Sequence, residues 1–347
     1  MHDRGAACRG DAGRARGGPR CARRRPRGAS RRGIEEVSQK VGASGVLVVD
    51  KGPGATSFDV VARVRRQLRV RRVGHAGTLD PGATGVLPVL IGEATKLTPY
   101  LVDQDKEYVA MVRFGLTTDT HDISGRVLAE TTVSRLERHL LVEACRPFIG
   151  RIKQVPPMYS ALHHEGRRLY ELAREGIVVH REPREVIVRS IVVEEVSPPR
   201  ATLRVVCGKG TYVRVLAADL GAALGYGAAV ERLVRCRVGP FDLADAMPWA
   251  DVTDGDAELM WSRLKPPESA LVGWRRITLD DRAAHAFMHG QAVELPAPAS
   301  GEDGAHVRVH GAAGALIGVG AVIAGGRQVK PLRILHADRP GTRVLPA

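Results

Sequence analysis

The stretch Gly74–Leu97, GHAGTLDPGATGVLPVLIGEATKL, limits what this chain can fold into more than any other segment. Gly74, Gly77, Gly82, Gly85 and Gly92 surround a single carboxylate, Asp80, with Pro81 directly after it. Glycine reaches backbone conformations closed to other residues and lets the chain approach a neighbour closely. Pro81 fixes a bend and removes an N–H beside the carboxylate. The segment therefore reads as a stiff loop, with two readings of Asp80: it shapes a turn, or it does chemistry there.

Several chemistries are excluded by pattern. The glycines lack the Gly-Lys-Ser/Thr of a phosphate loop and do not match the dinucleotide fingerprint. No His/Cys/Glu spacing suggests a metal. No G-x-S-x-G elbow occurs, and DPGATG differs from the Asp-Thr-Gly of aspartic proteases. A lone aspartate on a glycine-rich loop remains.

Around it the chain alternates strands and helices without a strict βαβ rhythm, which predicts an α+β fold with a mixed sheet. GVLVVD from Gly45 is a short buried strand, and KGPGATS is a turn. Thr56 with Asp59 fits a capping box, opening a helix whose apolar face is Val60, Val61, Val64 and Leu68. KEYVAMVRFG alternates like a strand, with Tyr108, Ala110, Val112 and Phe114 on one side. VSRLERHLLVEACRPFIG reads as a helix. REVIVRSIVVEEV and ATLRVVCGKGTYVRV are β-rich, the second running on into a helix with Val213, Leu216, Ala217, Leu220 and Leu224 inward. Ahead of these two, residues 156–184 interleave basic and aromatic side chains, a composition suited to nucleic acid. From Leu271 onward, short strands separated by turn residues predict a small β-barrel-like module. KPPESALVGW before it reads as a linker.

The 347 residues suggest two domains. The formal charge of +14 favours a polyanionic partner, and it is unevenly placed. Residues 1–40 hold 12 Lys/Arg against 4 Asp/Glu. Residues 1–44 are accordingly expected to be disordered, and are read either as a basic RNA-binding tail or, more plainly, as a non-native extension or the product of an upstream start codon. Arg63, Arg65, Arg66, Arg69, Arg71 and Arg72 form a second basic cluster, which is either a solvated face or a phosphate contact. Cys8, Cys21, Cys145, Cys207 and Cys236 form no CxxC pair. That spacing predicts a reducing, cytoplasmic compartment with neither disulfide framework nor zinc. No apolar run is long enough to span a membrane.

Six motifs then occur in order: VLVVDKGPGATS, GHAGTLDPGATGVLPVLIGEATKL, DKEYVAMVRFG, TDTHD, PPMYSALHHEGRRLYELAREG and GKGTYVRVLAADLG. Together they resemble the TruB family of tRNA pseudouridine-55 synthases from about Gly45 to Leu243. The module after Leu271 is similar to PUA-like RNA-binding domains. Gly52 departs from relatives that carry proline after the lysine, and the N-terminal extension has no counterpart in the family.

The resemblance implies a mixed, largely antiparallel sheet flanked by helices. It implies a catalytic domain at 45–270, with a thumb-like RNA-binding insert near 156–184, and a PUA-like domain at 271–347. The implied reaction isomerises uridine-55 of the tRNA T-arm, after flipping the base out of the stack, at a cost of a few kcal/mol. Substrate and product are isomers, so no cofactor or metal is needed.

By resemblance Asp80 is the catalytic carboxylate. Reference aspartates titrate near ~3.9, and a dry pocket would raise that value, so a cation belongs beside it. Arg214 matches that partner, and a guanidinium can hold a carboxylate with two bonds where lysine cannot. Tyr108 matches a tyrosine that stacks on the base, and Tyr212 and Leu233 match pocket positions. His75 matches a histidine that supports the rearranged RNA, and Lys51 and Asp122 match further positions that bind the substrate RNA near the site. His164, Arg167 and Arg168 belong to the insert. The expected partner is tRNA, with no membrane and no protein partner, and the chain is expected to act as a monomer. Two rival functions stand beside this one: a tRNA-binding or folding factor without catalysis, and a pseudouridine synthase acting on another RNA stem-loop.

Overall fold

The computed structural model describes residues 44–299 and 302–336, so nearly all of the N-terminal extension lies outside the described residues. Ten strands form one large sheet. In chain order they are β1 (Gly45–Lys51), β2 (Val73–His75), β3 (Thr84–Ile91), β4 (Lys106–Phe114), β5 (Gly150–Gln154), β6 (Arg184–Ser197), β7 (Arg200–Cys207), β8 (Ala228–Val238), β9 (Phe241–Asp242) and β10 (Met247–Pro248). Their main order is β10-β1-β3-β8-β4-β7-β6-β5, with β2 on β3 and β9 on β8. Most neighbours are antiparallel, while β1 with β10 and β3 with β8 are parallel. The fold is α+β with a mixed, largely antiparallel sheet, as expected.

The register of this sheet positions the site. In β4 alternate residues are buried, Lys106, Tyr108, Ala110, Val112 and Phe114 among them. Tyr108 faces Val205 of β7 on one side and Arg235 of β8 on the other. Side chains directly opposite share a face of the sheet, so Tyr108 and Arg235 project to the same side. β1 runs beside β3 so that Lys51 meets Gly85.

Helices pack on this sheet. Helix α1 (Ser57–Leu68) begins with the expected capping box: the Asp59 N–H donates to Thr56 Oγ1 at 3.1 Å, and the Thr56 N–H donates to Asp59 Oδ2 at 2.9 Å. Such a cap contributes about 1 kcal/mol. Val60, Val61, Val64 and Leu68 are all buried in the same core as the sheet residues Leu47, Val49 and Val89. Helix α2 (Arg138–Cys145) is shorter than the sequence suggests, because residues 133–137 precede it without helical structure. Helix α3 (Leu169–Arg174) lies in the insert, and helix α4 (Val213–Ala223) packs against β8 and β4.

The C-terminal module is an open five-stranded sheet of order β11-β13-β14-β15-β12. Its strands are β11 (Arg275–Thr278), β12 (Val293–Glu294), β13 (His306–His310), β14 (Leu316–Ile323) and β15 (Gln328–Ile334). Helix α5 (Asp281–Met288) covers one face through the fully buried Phe287.

The stretch expected as a linker is instead part of the packing. It forms a 3₁₀ turn, Pro267–Leu271, that buries Ala270 and Leu271. Those two side chains share one apolar cluster with Val46, Val48 and Leu97 of the large unit and Val319 and Leu335 of the C-terminal module. Burying one leucine contributes about 1.5–3 kcal/mol, enough to fix a segment that its Pro266-Pro267 pair alone marks as a spacer.

Candidate active site

Asp80 sits at the start of a tight turn in which the Ala83 N–H donates to the Asp80 carbonyl at 3.0 Å. The backbone on either side of it is held by side chains. Ser57, itself buried, holds Leu79 from both sides: its Oγ accepts from the Leu79 N–H at 2.9 Å and donates to the Leu79 carbonyl at 3.3 Å. The Pro81 carbonyl accepts from the Gly54 N–H at 2.9 Å and from Lys51 Nζ at 3.2 Å. Arg235 donates to the carbonyls of Gly77 at 3.0 Å, Thr78 at 3.3 Å and Val86 at 2.8 Å. Gly77 has φ +96°, a left-handed conformation that side chains resist. At Gly85 a Cβ would lie 2.2 Å from the Arg235 carbonyl oxygen, so that site admits no side chain.

The carboxylate is gripped in the same manner. Arg214, in the first turn of α4, donates through Nε to Asp80 Oδ2 at 2.9 Å and through Nη2 to Oδ1 at 3.3 Å. It also donates to the carbonyls of Thr120 and Tyr159. The Arg214 side chain is 4 % exposed and that of Asp80 is 39 % exposed. The guanidinium is thus packed behind the carboxylate, whose open side faces a cleft of about 460 Å³. Two parallel N–H donors to one carboxylate fix its plane as well as its position.

The cleft walls come from distant parts of the chain: His75, Tyr108, Tyr212, Leu233 and Arg235 from the sheet side, and Ser160, Ala161 and Leu162 from the insert. Burial pushes the Tyr108 hydroxyl above its ordinary range, and does the same for Tyr212. Tyr212 precedes α4, and the amide of the buried Gln154 holds its backbone from both sides, at 3.0 and 3.3 Å. The Arg214 guanidinium lies 5.6 Å from the Tyr212 ring centre, within cation–π range. His75 has its pKa lowered by burial and by the nearby Arg235 charge, and its buried Nδ1 has no hydrogen-bond partner among the described residues.

Buried cations set the potential of this site. Burial pulls Lys51 down to about 8, against the attraction of Asp80, and pulls Lys106 down to about 8 with help from Arg235. Lys51, Lys106 and Arg235 are satisfied largely by backbone carbonyls rather than by carboxylates. Around a single Asp80 this leaves a positive floor, which suits a nucleotide.

The structure brings most of the residues singled out from sequence to the cleft or the insert. Asp80, Tyr108, Arg214, His75, Tyr212 and Leu233 line one cleft. His164, on a two-residue strand of the insert, and Arg167 and Arg168, on its partner strand, lie outside it. Arg167 is paired with Glu175. Two placements differ from expectation. Lys51 is fully buried, with its ammonium on the carbonyls of Gly52, Ala55 and Pro81, so it braces the loop from inside and offers no charged group at the surface. Asp122 does not line the cleft: it accepts from Thr120 Oγ1 at 2.8 Å and the Ser124 N–H at 2.9 Å, shaping the turn whose Thr120 carbonyl meets Arg214. Arg235, Ser57 and Gln154 belong to the site without having been expected there. Residue type marks none of them in advance; it is the register of β8 that puts Arg235, two residues beyond Leu233, on the same face.

Comparison with known proteins gives the chain its family. The TruB family pseudouridylate synthase N-terminal domain matches residues 65–213, and the tRNA pseudouridylate synthase B C-terminal domain matches 214–272. A further TruB C-terminal domain of pseudouridine synthase II matches 276–335. The tRNA pseudouridine synthase B of Pseudomonas aeruginosa is 44 % identical over 299 residues, covering 85 % of this chain and 96 % of that one. The chain belongs to the TruB family of pseudouridylate synthases. The Symbiobacterium thermophilum TruB-family protein, also a tRNA pseudouridine synthase B, is 49 % identical over 251 residues, 72 % of this chain and 82 % of its own. Among solved structures, a Cbf5-Nop10-Gar1 complex contains a chain with TM-score 0.66 and 28 % identity, covering 87 % of both chains. TruB-family pseudouridylate synthases are isomerases, and this chain is an enzyme of that class. No helix among the described residues is long and apolar enough to cross a membrane.

Proposed function

We propose that this enzyme converts uridine-55 in the T-arm of tRNA to pseudouridine, with Asp80 as its catalytic carboxylate. The observation that carries the reading is the Asp80–Arg214 pair, held by two hydrogen bonds with the carboxylate open to the cleft. The tRNA substrate is supported by the names of the relatives, which are tRNA pseudouridine synthases.

The reaction breaks the bond between uracil N1 and C1′, turns the base, and joins C5 to C1′. C5 then loses its proton and N1 gains one, so atoms balance without an external reagent. Asp80 serves either as nucleophile or as stabiliser of positive charge at the reacting carbon. Arg214 orients it, Tyr108 and Tyr212 hold the loose base, and Leu233 helps keep water from the cleaved sugar. His75, against the cleft, supports the RNA around the flipped nucleotide. In this reading residues 45–270 are the catalytic domain, 156–184 the thumb that closes on the T-arm, and 271–347 the RNA-binding module. The enzyme works as a single chain in the cytoplasm.

The test is to incubate unmodified tRNA transcript with the protein and map pseudouridine chemically. Label at position 55 is expected from the wild type. Asp80→Asn is expected to bind tRNA normally and turn over at least about 10³-fold more slowly. Full activity of that variant would remove Asp80 from the chemistry. Label at another site only would move the enzyme to a different stem-loop, and no label with tight binding would favour a folding factor.

A further inference from the structure

Two lysines are buried near the Asp80 loop, Lys51 with no exposed surface and Lys106 with 5 %. An ammonium carries three N–H donors, and each needs an acceptor once water is excluded. Lys51 finds all three, in the carbonyls of Gly52, Ala55 and Pro81. Lys106 finds two: its Nζ donates to the Val102 carbonyl and, at 2.5 Å, to that of Gln104. Among the described residues no acceptor takes its third N–H. Asp103 and Asp105, the carboxylates whose charge acts on it, are paired with Lys209 and Arg189.

The two lysines also differ in place. Lys106 lines the cleft with Asp80 and Tyr108, and Lys51 does not. Lys106 opens β4 two residues ahead of Tyr108, on the same buried face of the strand. That spacing puts the two about 7 Å apart along the chain. Toward the catalytic loop stands Gly77, where a Cβ would lie 3.9 Å from Lys106 Cε and 3.5 Å from Arg235 Nη1. Lys106 is thus set between the tyrosine platform and the loop, at the closed end of the cleft. A phosphate would have to shed its water to reach it, whereas a base lying on Tyr108 brings its edge there.

The proposed chemistry calls for a donor at that edge. Breaking the bond between N1 and C1′ leaves its electron pair on the uracil, spread over N1 and the carbonyl oxygens O2 and O4. Asp80 answers the positive charge at the sugar, whether it attacks or only stabilises, and a ring stacked on the base offers nothing to the negative one. A fixed cation in a site closed to water stabilises developing charge far more than it does in solution. When C5 joins C1′, the pair returns to the new bond, C5 releases its proton and N1 takes one. A donor to the uracil oxygen therefore loses no proton of its own.

We infer that Lys106 is a catalytic residue, which donates its third ammonium N–H to a carbonyl oxygen of the uracil and stabilises the base as it leaves the sugar. The inference rests on the proposed reaction, and deepens it by naming the group that answers the negative half of the charge separation. A substrate oxygen on that N–H favours the charged form, so in the complex Lys106 holds its proton above the value of about 8 that it has alone. Lys51, whose donors are already taken, gains no such support from substrate.

The test compares the full chain and its Lys106→Met variant in single turnover, on tRNA carrying uridine or 5-fluorouridine at position 55. Fluorine at C5 withdraws electrons and stabilises the departing base without help from the protein. It also blocks the last proton loss from C5, so both rates are read as disappearance of the N-linked nucleoside after nuclease digestion. On uridine the variant is expected to be slower on the order of 10²–10³-fold, and on 5-fluorouridine the loss should be about tenfold smaller. Lys106→Gln, which keeps a neutral donor, should fall between the two on uridine, and it carries the same comparison if the Met variant does not fold. The Kd for tRNA and its salt dependence should match the wild type. Equal slowing on both substrates would reduce Lys106 to a structural support and overturn the inference, as would wild-type rates. A raised Kd with the slope of log K on log salt lowered by about 0.9 would put a phosphate on Lys106 instead, and overturn it too. A wild type that forms no pseudouridine would overturn the proposed reaction itself, whereas an active wild type with equally slowed variants removes only the role of Lys106.

Discussion

The loop around Asp80 and the insert over residues 156–184 both face the cleft, and they are held in opposite ways. The loop's carbonyls are taken up by Lys51, Ser57 and Arg235, all buried, and its carboxylate by Arg214. The insert has two strands of two residues each and one short helix, which buries Leu169 and Leu172. Its Val178 is 77 % exposed, and its basic side chains pair at the surface, as Arg167 does with Glu175. Buried, fully partnered groups specify one geometry, whereas exposed ion pairs contribute little and rearrange readily. In the proposed reaction the wall that must not move is built from interior cations, and the wall that would admit RNA is built from surface ones.

That contrast can be broken most directly at Arg214. Arg214→Lys keeps the charge and loses the two-point grip, so turnover is expected to fall on the order of a hundredfold with little change in tRNA affinity. Single-turnover rates at saturating enzyme read this, and a wild-type rate would show that orientation of Asp80 is unimportant. Arg235→Met removes the donor to the loop carbonyls of Gly77 and Thr78 and to that of Val86 in β3, with an expected loss of about 2–4 kcal/mol in denaturant unfolding. An unchanged midpoint would mean that the loop is held without it.

A smaller effect should come from pH. Lys51, pulled down to about 8, is charged below that value and neutral above it, and a neutral amine has two protons for three carbonyls. Turnover should therefore decline several-fold as pH rises through about 8, and Lys51→Met should flatten that limb. For stability the sign is opposite: an unfolded lysine holds its proton up to about 10.4, so between about 8 and that value the unfolded chain binds more protons. The Lys51 contribution then makes the fold more stable as pH rises. The smallest effect belongs to the insert. Arg167→Ala should raise the Kd for tRNA only about threefold, with no measurable change in melting temperature. A large drop in melting temperature would contradict the loose construction of this region.

Much of the architecture is legible in the sequence because it repeats. The capping box at Thr56 and Asp59, the alternation of β4 and the inward face of α4 all follow periods that one sequence displays. The site is legible differently. Asp80 and Arg214 lie far apart in the chain, and their meeting is implied by resemblance to a family, not by spacing. Arg235 and Gln154 escape because their partners are backbone atoms, which leave no mark on residue type. Lys51 misleads for the same reason: a lysine is mostly a surface residue, and only the fold shows the three carbonyls that hold it inside. The turn at Pro267–Leu271 looks like a spacer from its prolines, while its Ala and Leu decide the outcome.

The close approach at Gly85 bears on how the enzyme would look under saturation mutagenesis. With the Arg235 carbonyl 2.2 Å from where a Cβ would stand, and φ at +105°, every replacement there pushes β3 off β8 and displaces Arg235 from the loop. Position 85 should therefore score as intolerant as position 80, although it touches no substrate. A tolerance map alone would mark both as catalytic, and only a paired readout of abundance and turnover would tell the residue proposed to react from the one that makes room.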